Sequence, residues 1–226
     1  MRGAALCREL DVMGPLQAVW ALDVLIRGVL AKDAACVLVY RSFVEPQCLS
    51  RDLEGSHLNL MLEAGRAEGC VAAIQCLLAE AAEGGQPGPE ADRLLDHRLR
   101  ELPLGYRRAK ARTAKGDAIN RLATDPDPGT ISNLLNNPRI TERIVLGICS
   151  RRPTHSAPLE AVIHSAQWLR RYTVKLALVK NPYLAQKYAI NLLPYLKRRD
   201  LVGVRDDESL PPTLRLAAQR LLDIVL

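Results

Sequence analysis

Residues 130–149 read TISNLLNNPRITERIVLGIC, and residues 174–193 read VKLALVKNPYLAQKYAINLL. At an offset of 44 residues, and without a gap, the two stretches have apolar residues at matching positions. Both also contain an Asn-Pro pair, at Asn137 and at Asn181. A gapless match of this kind indicates an internal structural repeat.

The Asn-Pro pairs predict where the helices of each repeat end. Proline disfavours the helical conformation of the preceding residue, so one helix should end at Asn136 or Asn137. Asparagine tolerates the left-handed conformation and bonds to nearby backbone, which suits a helix exit. We expect Ile140 to be a buried anchor and Thr141 to be the next N-cap. Helices of about three turns are unstable alone, so they should stack.

The composition favours an all-α protein. The chain has 226 residues, of which 48% are hydrophobic and only 4% aromatic, and Leu and Ala predominate. Both residues are good helix formers. We predict an N-terminal helical region of four helices over 1–83, a linker and basic connector with a short helix over 84–116, and the repeats over 117–226. The linker signal is GGQPGPE at 84–90, because clustered Gly and Pro interrupt helices.

The cysteines and the N-terminus predict a cytoplasmic protein. The first residues carry acids where a secretory signal would be apolar. The six cysteines contain no C-x-x-C pair, and we expect reduced thiols with no metal, disulfide or cofactor. No uninterrupted apolar stretch is long enough to predict a transmembrane segment.

The stretch 122–148, LATDPDPGTISNLLNNPRITERIVLGI, resembles the HEAT-like and leucine-rich-repeat-variant repeats of bacterial proteins. Their units run roughly as L-A-x-D-P-D-x-x-V-x-x-x-L-A-x-N-P-x-[IL]-x-x-x-x-L. The matching residues are Leu122, Ala123, Asp125, Pro126, Asp127, Ile131, Leu134, Leu135, Asn137, Pro138, Ile140 and Leu146. The resemblance extends over 117–224 and implies an α-solenoid, a right-handed superhelix of short helices. Some related proteins carry a cysteine-bound iron–sulfur cluster, but the clustered cysteines are missing here.

Charge is divided unevenly along the chain. Residues 1–100 contain 10 Lys+Arg and 14 Asp+Glu, whereas residues 101–226 contain 21 Lys+Arg and 11 Asp+Glu. The C-terminal half should therefore meet something acidic. A protein, a nucleic acid, a membrane surface and the acidic N-terminal half all remain open as partners.

Basic side chains at turns and helix ends form the predicted interaction surface. Equivalent turns of stacked repeats lie along one edge, so their side chains should form a stripe. We expect this surface to contain Arg107, Arg108, Lys110, Arg112, Arg151, Arg152, Trp168, Arg170, Arg171, Lys175, Lys197, Arg198 and Arg199.

Three functions fit the sequence. The first is a non-enzymatic α-solenoid scaffold that binds a protein partner through its basic C-terminal surface. The second is a nucleic-acid binder, because some HEAT-like solenoids hold duplex DNA in a basic concave face. The third is an enzyme resembling a HEAT-like DNA-repair glycosylase, which needs a carboxylate flanked by aromatics. No Asp or Glu lies beside Trp168, so we rank the enzyme last and predict no catalytic residue.

Overall fold

The computed structural model describes residues 2–44, 55–81, 99 and 101–224, and all regular elements in this part of the chain are helical. The all-α prediction is therefore confirmed for the described residues. A 3-10 turn covers Leu193–Tyr195. In chain order the α-helices are α1 (Arg2–Val12), α2 (Pro15–Leu30), α3 (Ala34–Val44), α4 (Gly55–Glu68), α5 (Val71–Ala81), α6 (Leu104–Thr113), α7 (Asp117–Leu122), α8 (Pro128–Leu135), α9 (Glu142–Cys149), α10 (Ser156–Ile163), α11 (Ala166–Leu169), α12 (Tyr172–Val179), α13 (Gln186–Leu192), α14 (Arg198–Asp206) and α15 (Pro212–Ile224).

The chain forms two compact units, and the first of them is discontinuous in sequence. It comprises Met1–Glu83 together with Gln186–Leu226, whereas the second comprises Gly84–Ala185. This grouping differs from the predicted boundary at residue 117, because the last helices pack on the N-terminal ones. The predicted linker at 84–90 lies outside the described residues.

The first unit is built around α2, which packs against α3, α4 and α5. Helix α5 in turn packs against α13 and α15. Lys32 adds a polar connection, because its ammonium group donates to the carbonyl oxygens of Tyr195 at 3.2 Å and Leu196 at 2.9 Å. Helix α1 was not predicted from the sequence.

The second unit contains α6 to α12. Helix α8 packs against both α6 and α10, and α9 packs against α10 and α12. Its core is aliphatic, with Ile131, Leu134, Val145 and Leu178 all fully buried. Leu104–Thr113, expected as part of a basic connector, instead forms helix α6. The tertiary contact with α8 explains the difference, since packing overrides a highly charged local sequence.

The two Asn-Pro turns have the same hydrogen bonds. The Asn137 amide donates to the carbonyls of Ala111 at 2.9 Å and Ala114 at 3.0 Å, where α6 ends. The Asn181 amide donates likewise to Cys149 at 2.7 Å and Arg151 at 3.0 Å, where α9 ends. In each turn the same side chain accepts from the backbone N–H two residues later. Each asparagine therefore joins its turn to the end of an earlier helix.

Two details of the predicted turns differ from the structure. Helices α8 and α9 each have 8 residues, slightly over two turns rather than three. Lys32 is the one non-glycine with positive φ among the described residues, so neither asparagine uses the left-handed conformation. The hydrogen bonds explain the asparagines instead. Helix α8 ends at Leu135, one residue before the predicted end, with Asn136 as its C-cap, and Ile140 is buried as expected.

Candidate functional site: a cationic cleft between α7 and α9

A cleft of about 500 Å³ opens between α7 and α9 in the second unit. Its polar lining comes from Asn120 of α7, Thr141 at the N-cap of α9, and the two arginines Arg143 and Arg151. The remaining lining is formed by Ala123, Ile144 and Gly147. No acidic side chain is among these lining residues.

The sequence of α9 places the arginines on the cleft side of the helix. Val145, Ile148 and Cys149 form its buried face. Arg143 and Gly147 are four residues apart, which brings them to the same side of α9, and Arg151, two residues beyond the end of the helix, lines the same cleft. Arg143 is exposed and Arg151 is half-buried. The cleft therefore has a cation at each end of α9 and a glycine midway between them.

Burial changes the electrostatics of Arg151. Desolvation lowers the pKa of its guanidinium group from the ordinary value, although an arginine stays protonated in proteins. Arg151 also lines a smaller adjoining cavity that contains Asp125. That carboxylate bonds to Arg107 at 2.7 Å. A partly desolvated cation gains more from an incoming anion than one in bulk water does.

Two other acids of the second unit are likewise paired away from the cleft arginines. Asp127 bonds to Arg108 at 2.7 Å, and Glu142 bonds to Arg171 at 3.2 Å. From residue 101 to residue 185 the sequence contains 14 Lys+Arg and 6 Asp+Glu, a net charge of +8. Since the paired acids neutralise other arginines, the charge at the cleft is left uncompensated by its own lining.

The structure separates the predicted surface residues into groups with different roles. Arg107, Arg108 and Arg171 form the ion pairs described above. Arg107 is mostly buried, with 13% of its side chain exposed, opposite the fully buried side chain of Asp125. Desolvation by burial raises the pKa of Asp125 despite the opposing effect of Arg107. This pair therefore belongs to the interior of the unit.

Trp168 does not lie on the predicted surface. It is 4% exposed, and its indole N–H donates to the carbonyl of Leu135 at 3.0 Å. The hydrogen bond satisfies the one polar group of the ring, so Trp168 is a core residue that connects the short helix α11 to the end of α8. A lone Trp followed closely by Arg170 and Arg171 gave no sequence signal for burial.

The remaining predicted cations are dispersed. Several make contacts with neutral groups: Arg112 donates to Asn133, Arg152 donates to the carbonyl of Lys180, and Lys110 lies over the ring of Tyr106. Arg170 is exposed and Lys175 is half-buried. Lys197, Arg198 and Arg199 belong to the first unit.

Arg151 is the predicted residue that lines the cleft. Sequence reasoning missed Arg143, Asn120 and Thr141 as site residues, although Arg143, Gly147 and Arg151 follow one another at intervals of four residues. That spacing was the available signal. This spacing could not identify the residues of α7 as part of the site, because their proximity to α9 depends on tertiary packing.

Neither a metal site nor a membrane-spanning helix is found among the described residues. Among them, no group of three or more His, Cys, Asp or Glu is placed to hold a metal ion. None of the described cysteines forms a disulfide, and burial raises the pKa of Cys149 to about 12. Cys48 lies outside the described residues. No described helix is both long and apolar enough to cross a membrane.

Comparison of the chain with known protein families, with curated proteins and with solved structures finds no match.

Proposed function

We propose that this chain is a non-enzymatic, solenoid-type helical-repeat module that binds an acidic protein partner through its basic second unit. The observation that carries the proposal is the cleft between α7 and α9, which has two arginines and no carboxylate in its lining. A partner carboxylate entering it would form charge-assisted hydrogen bonds with guanidinium groups.

The repeat character is supported by the equivalent roles of Asn137 and Asn181. Each bonds to two carbonyls at the end of an earlier helix. A side chain with the same partners in successive repeats is expected where one unit stacks on the next, as in a solenoid. The HEAT-like handedness and superhelix suggested by the sequence are part of this proposal.

An acidic protein fits the second unit better than a nucleic acid does. Binding of duplex DNA depends on several phosphate contacts, yet Arg107, Arg108 and Arg171 are already paired with carboxylates. Sequence-tolerant binding of single strands uses aromatic stacking platforms, yet the lining of the cleft contains no aromatic residue. Trp168, the aromatic residue of the predicted surface, is buried.

A charge-reversal experiment on the full chain tests this function. Arg143→Glu combined with Arg151→Glu should weaken binding of poly-L-glutamate about tenfold or more, because two charge pairs become repulsive. Arg198→Glu combined with Arg199→Glu makes the same change of net charge in the first unit and is the matched control. We expect it to change the affinity less than about twofold. Binding would be measured by fluorescence anisotropy at low and physiological salt.

Two results would contradict the proposed function. Equal losses in the cleft variant and the control would mean that the binding follows net charge alone. Tighter binding of a DNA duplex than of poly-L-glutamate, lost in the cleft variant, would favour the nucleic-acid function. In that case the binding constant should fall with salt by about 0.9 logarithmic units per phosphate contact.

A further inference from the structure

We propose that the cleft between α7 and α9 binds an extended peptide segment whose acidic side chains are four residues apart, with the peptide crossing α9 at Gly147. This inference rests on the proposed function and specifies its ligand. The three residues that carry it are Arg143, Gly147 and Arg151, which line the cleft in that order.

Gly147 has no explanation in the packing of the unit. It lies inside α9, where glycine costs about 0.5–1 kcal/mol relative to alanine. Its φ is not among the positive values of the described chain, and a Cβ built on it would meet nothing within 4 Å. Neither backbone conformation nor a crowded neighbour therefore requires glycine here. A ligand backbone that lies directly against α9 requires glycine at this position, because a residue without a Cβ permits close approach of another backbone.

The distance between the arginines determines the spacing of the ligand. Arg143 lies in the first turn of α9 and Arg151 lies two residues beyond its end, after the C-cap Ser150, which keeps a helical backbone. Eight residues of near-helical backbone span about 12 Å at a rise of 1.5 Å per residue. An extended peptide advances about 3.3 Å per residue, so side chains four residues apart are separated by about 13 Å. Those side chains also point to the same face of the strand. Two acidic residues at this spacing match the two guanidinium groups.

The other polar residues of the cleft suit a peptide backbone between those anchors. Thr141 is at the N-cap of α9 but makes no capping hydrogen bond with its side chain. Asn120 is exposed on the opposite wall of the cleft. A hydroxyl and an amide both donate and accept hydrogen bonds. They are therefore suited to the N–H and C=O groups of an extended segment, which has no internal partners for them.

Two substitutions at Gly147 distinguish blocking from destabilisation. Gly147→Leu should fill the floor of the cleft, whereas Gly147→Ala adds one methyl group and is the matched control. Both should fold, since each removes a helix glycine and neither meets a neighbour at Cβ. If both variants melt at the same temperature as the natural chain, or at a higher one, then a loss of binding is not caused by unfolding.

The probes are two labelled peptides of the same composition in a threonine-rich background that favours the extended state. One has glutamates four residues apart, and the other has them adjacent, on opposite faces. We expect the natural chain to bind the first about fivefold more tightly. Gly147→Leu should weaken that binding about tenfold, and Gly147→Ala less than about twofold. Anisotropy at about 50 mM salt would measure each affinity.

The outcomes separate this inference from the proposed function. Equal binding of both peptides, lost on reversing Arg143 and Arg151, would overturn the spacing while leaving acidic-protein binding in place. Absence of binding by either peptide and by poly-L-glutamate would overturn both. An oligothymidylate that binds more tightly than the peptides, and is blocked by Gly147→Leu, would overturn the peptide ligand in favour of a nucleic acid.

Discussion

At the scale of single residues, the Asn-Pro turns show how a local motif can have a long-range cause. The prolines explain where α8 ends, but they do not explain why asparagine precedes them. Asn137 is 2% exposed, and its amide satisfies two carbonyls that would otherwise be unpaired at the end of α6. Leaving buried carbonyls without donors costs free energy beyond the loss of the bond itself.

Asn137→Ala should therefore lower the free energy of unfolding by about 2 kcal/mol, more than the loss of one local hydrogen bond. The measurement is urea denaturation followed by circular dichroism. Asn136→Ala is the matched control, because Asn136 is exposed and donates to Ser132 within its own helix. We expect the control to cost less than about 0.5 kcal/mol. Equal costs for the two variants would contradict the long-range role of Asn137.

The residue scale also shows what the sequence could predict. Ile140 was expected as a buried anchor, and it is buried together with Leu184, the equivalent residue at the offset of 44. Their apolar character and repeated position were sufficient for that prediction. The acceptors of the asparagine side chains were not predictable, because Ala111 and Cys149 contribute only backbone carbonyls. Because every residue type has a backbone carbonyl, the sequence does not show which carbonyl accepts from the asparagine side chain.

At the scale of the element, the start of α8 combines a cap and an ion pair in one carboxylate. Asp127 is the N-cap of α8 and accepts from the backbone N–H of Thr130 at 2.6 Å. It also accepts two bonds from Arg108, at 2.9 and 2.7 Å. The bond from Arg108 is the main cause that lowers the pKa of Asp127 to about 2.

This pKa gives a pH dependence with a definite sign. A carboxyl whose pKa is lower in the folded chain stabilises fully above its unfolded pKa of 3.8 and loses that effect as the pH falls towards about 2. Asp127→Asn keeps a capping oxygen and removes the charge. It should cost about 1–2 kcal/mol at pH 5, reduced by the partial exposure of Arg108, and almost nothing near pH 2.

Urea denaturation at both pH values measures that difference. Asp117→Asn is the control, because its pair with Arg121 is exposed on α7, where an ion pair contributes little. If the cost of Asp127→Asn were the same at both pH values, the charge of Asp127 would not be the source of its effect.

Helix α9 shows which features can be predicted from the sequence of a single helix and which cannot. Its apolar face was evident, because Val145 and Ile148 follow helical spacing. The cleft between α7 and α9 was not evident from the sequence, because the repeat pattern does not determine which helices pack against each other. The predicted basic connector was similarly misassigned where Leu104–Thr113 forms α6, since a run rich in arginine gives weak evidence of burial. In α6, Ala111 is fully buried and Arg107 is mostly buried.

At the scale of the whole molecule, local sequence patterns did not predict how the chain is divided between the two compact units. The repeat match continues past residue 185, yet the contacts of 186–226 group these residues with the N-terminal helices. Similarity between two stretches of sequence indicates a shared local fold, but it does not indicate which surface each helix covers. The charge division at residue 100 therefore does not coincide with the two structural units.

The discontinuity predicts the result of a truncation. Ending the chain at Ala185 removes α13, the 3-10 turn and α15, which pack against α2 and α5. Tyr40, 1% exposed, would lose the ring of Tyr195 at 5.5 Å, and Lys32 would lose its carbonyl partners. We expect amides of α2 and α5 to lose protection from hydrogen exchange, because a compact unit opens as a cooperative whole.

Amides of α8 and α9 should keep their protection in the truncated chain, because the second unit is compact without residues 186–226. They serve as the internal control, and hydrogen exchange followed by mass spectrometry resolves both regions in one sample. Supplying residues 186–226 as a separate chain should restore protection to α2 and α5, since these residues replace the missing part of one core. Undiminished protection of α2 and α5 after truncation would mean that the N-terminal helices form a stable core without the C-terminal segment.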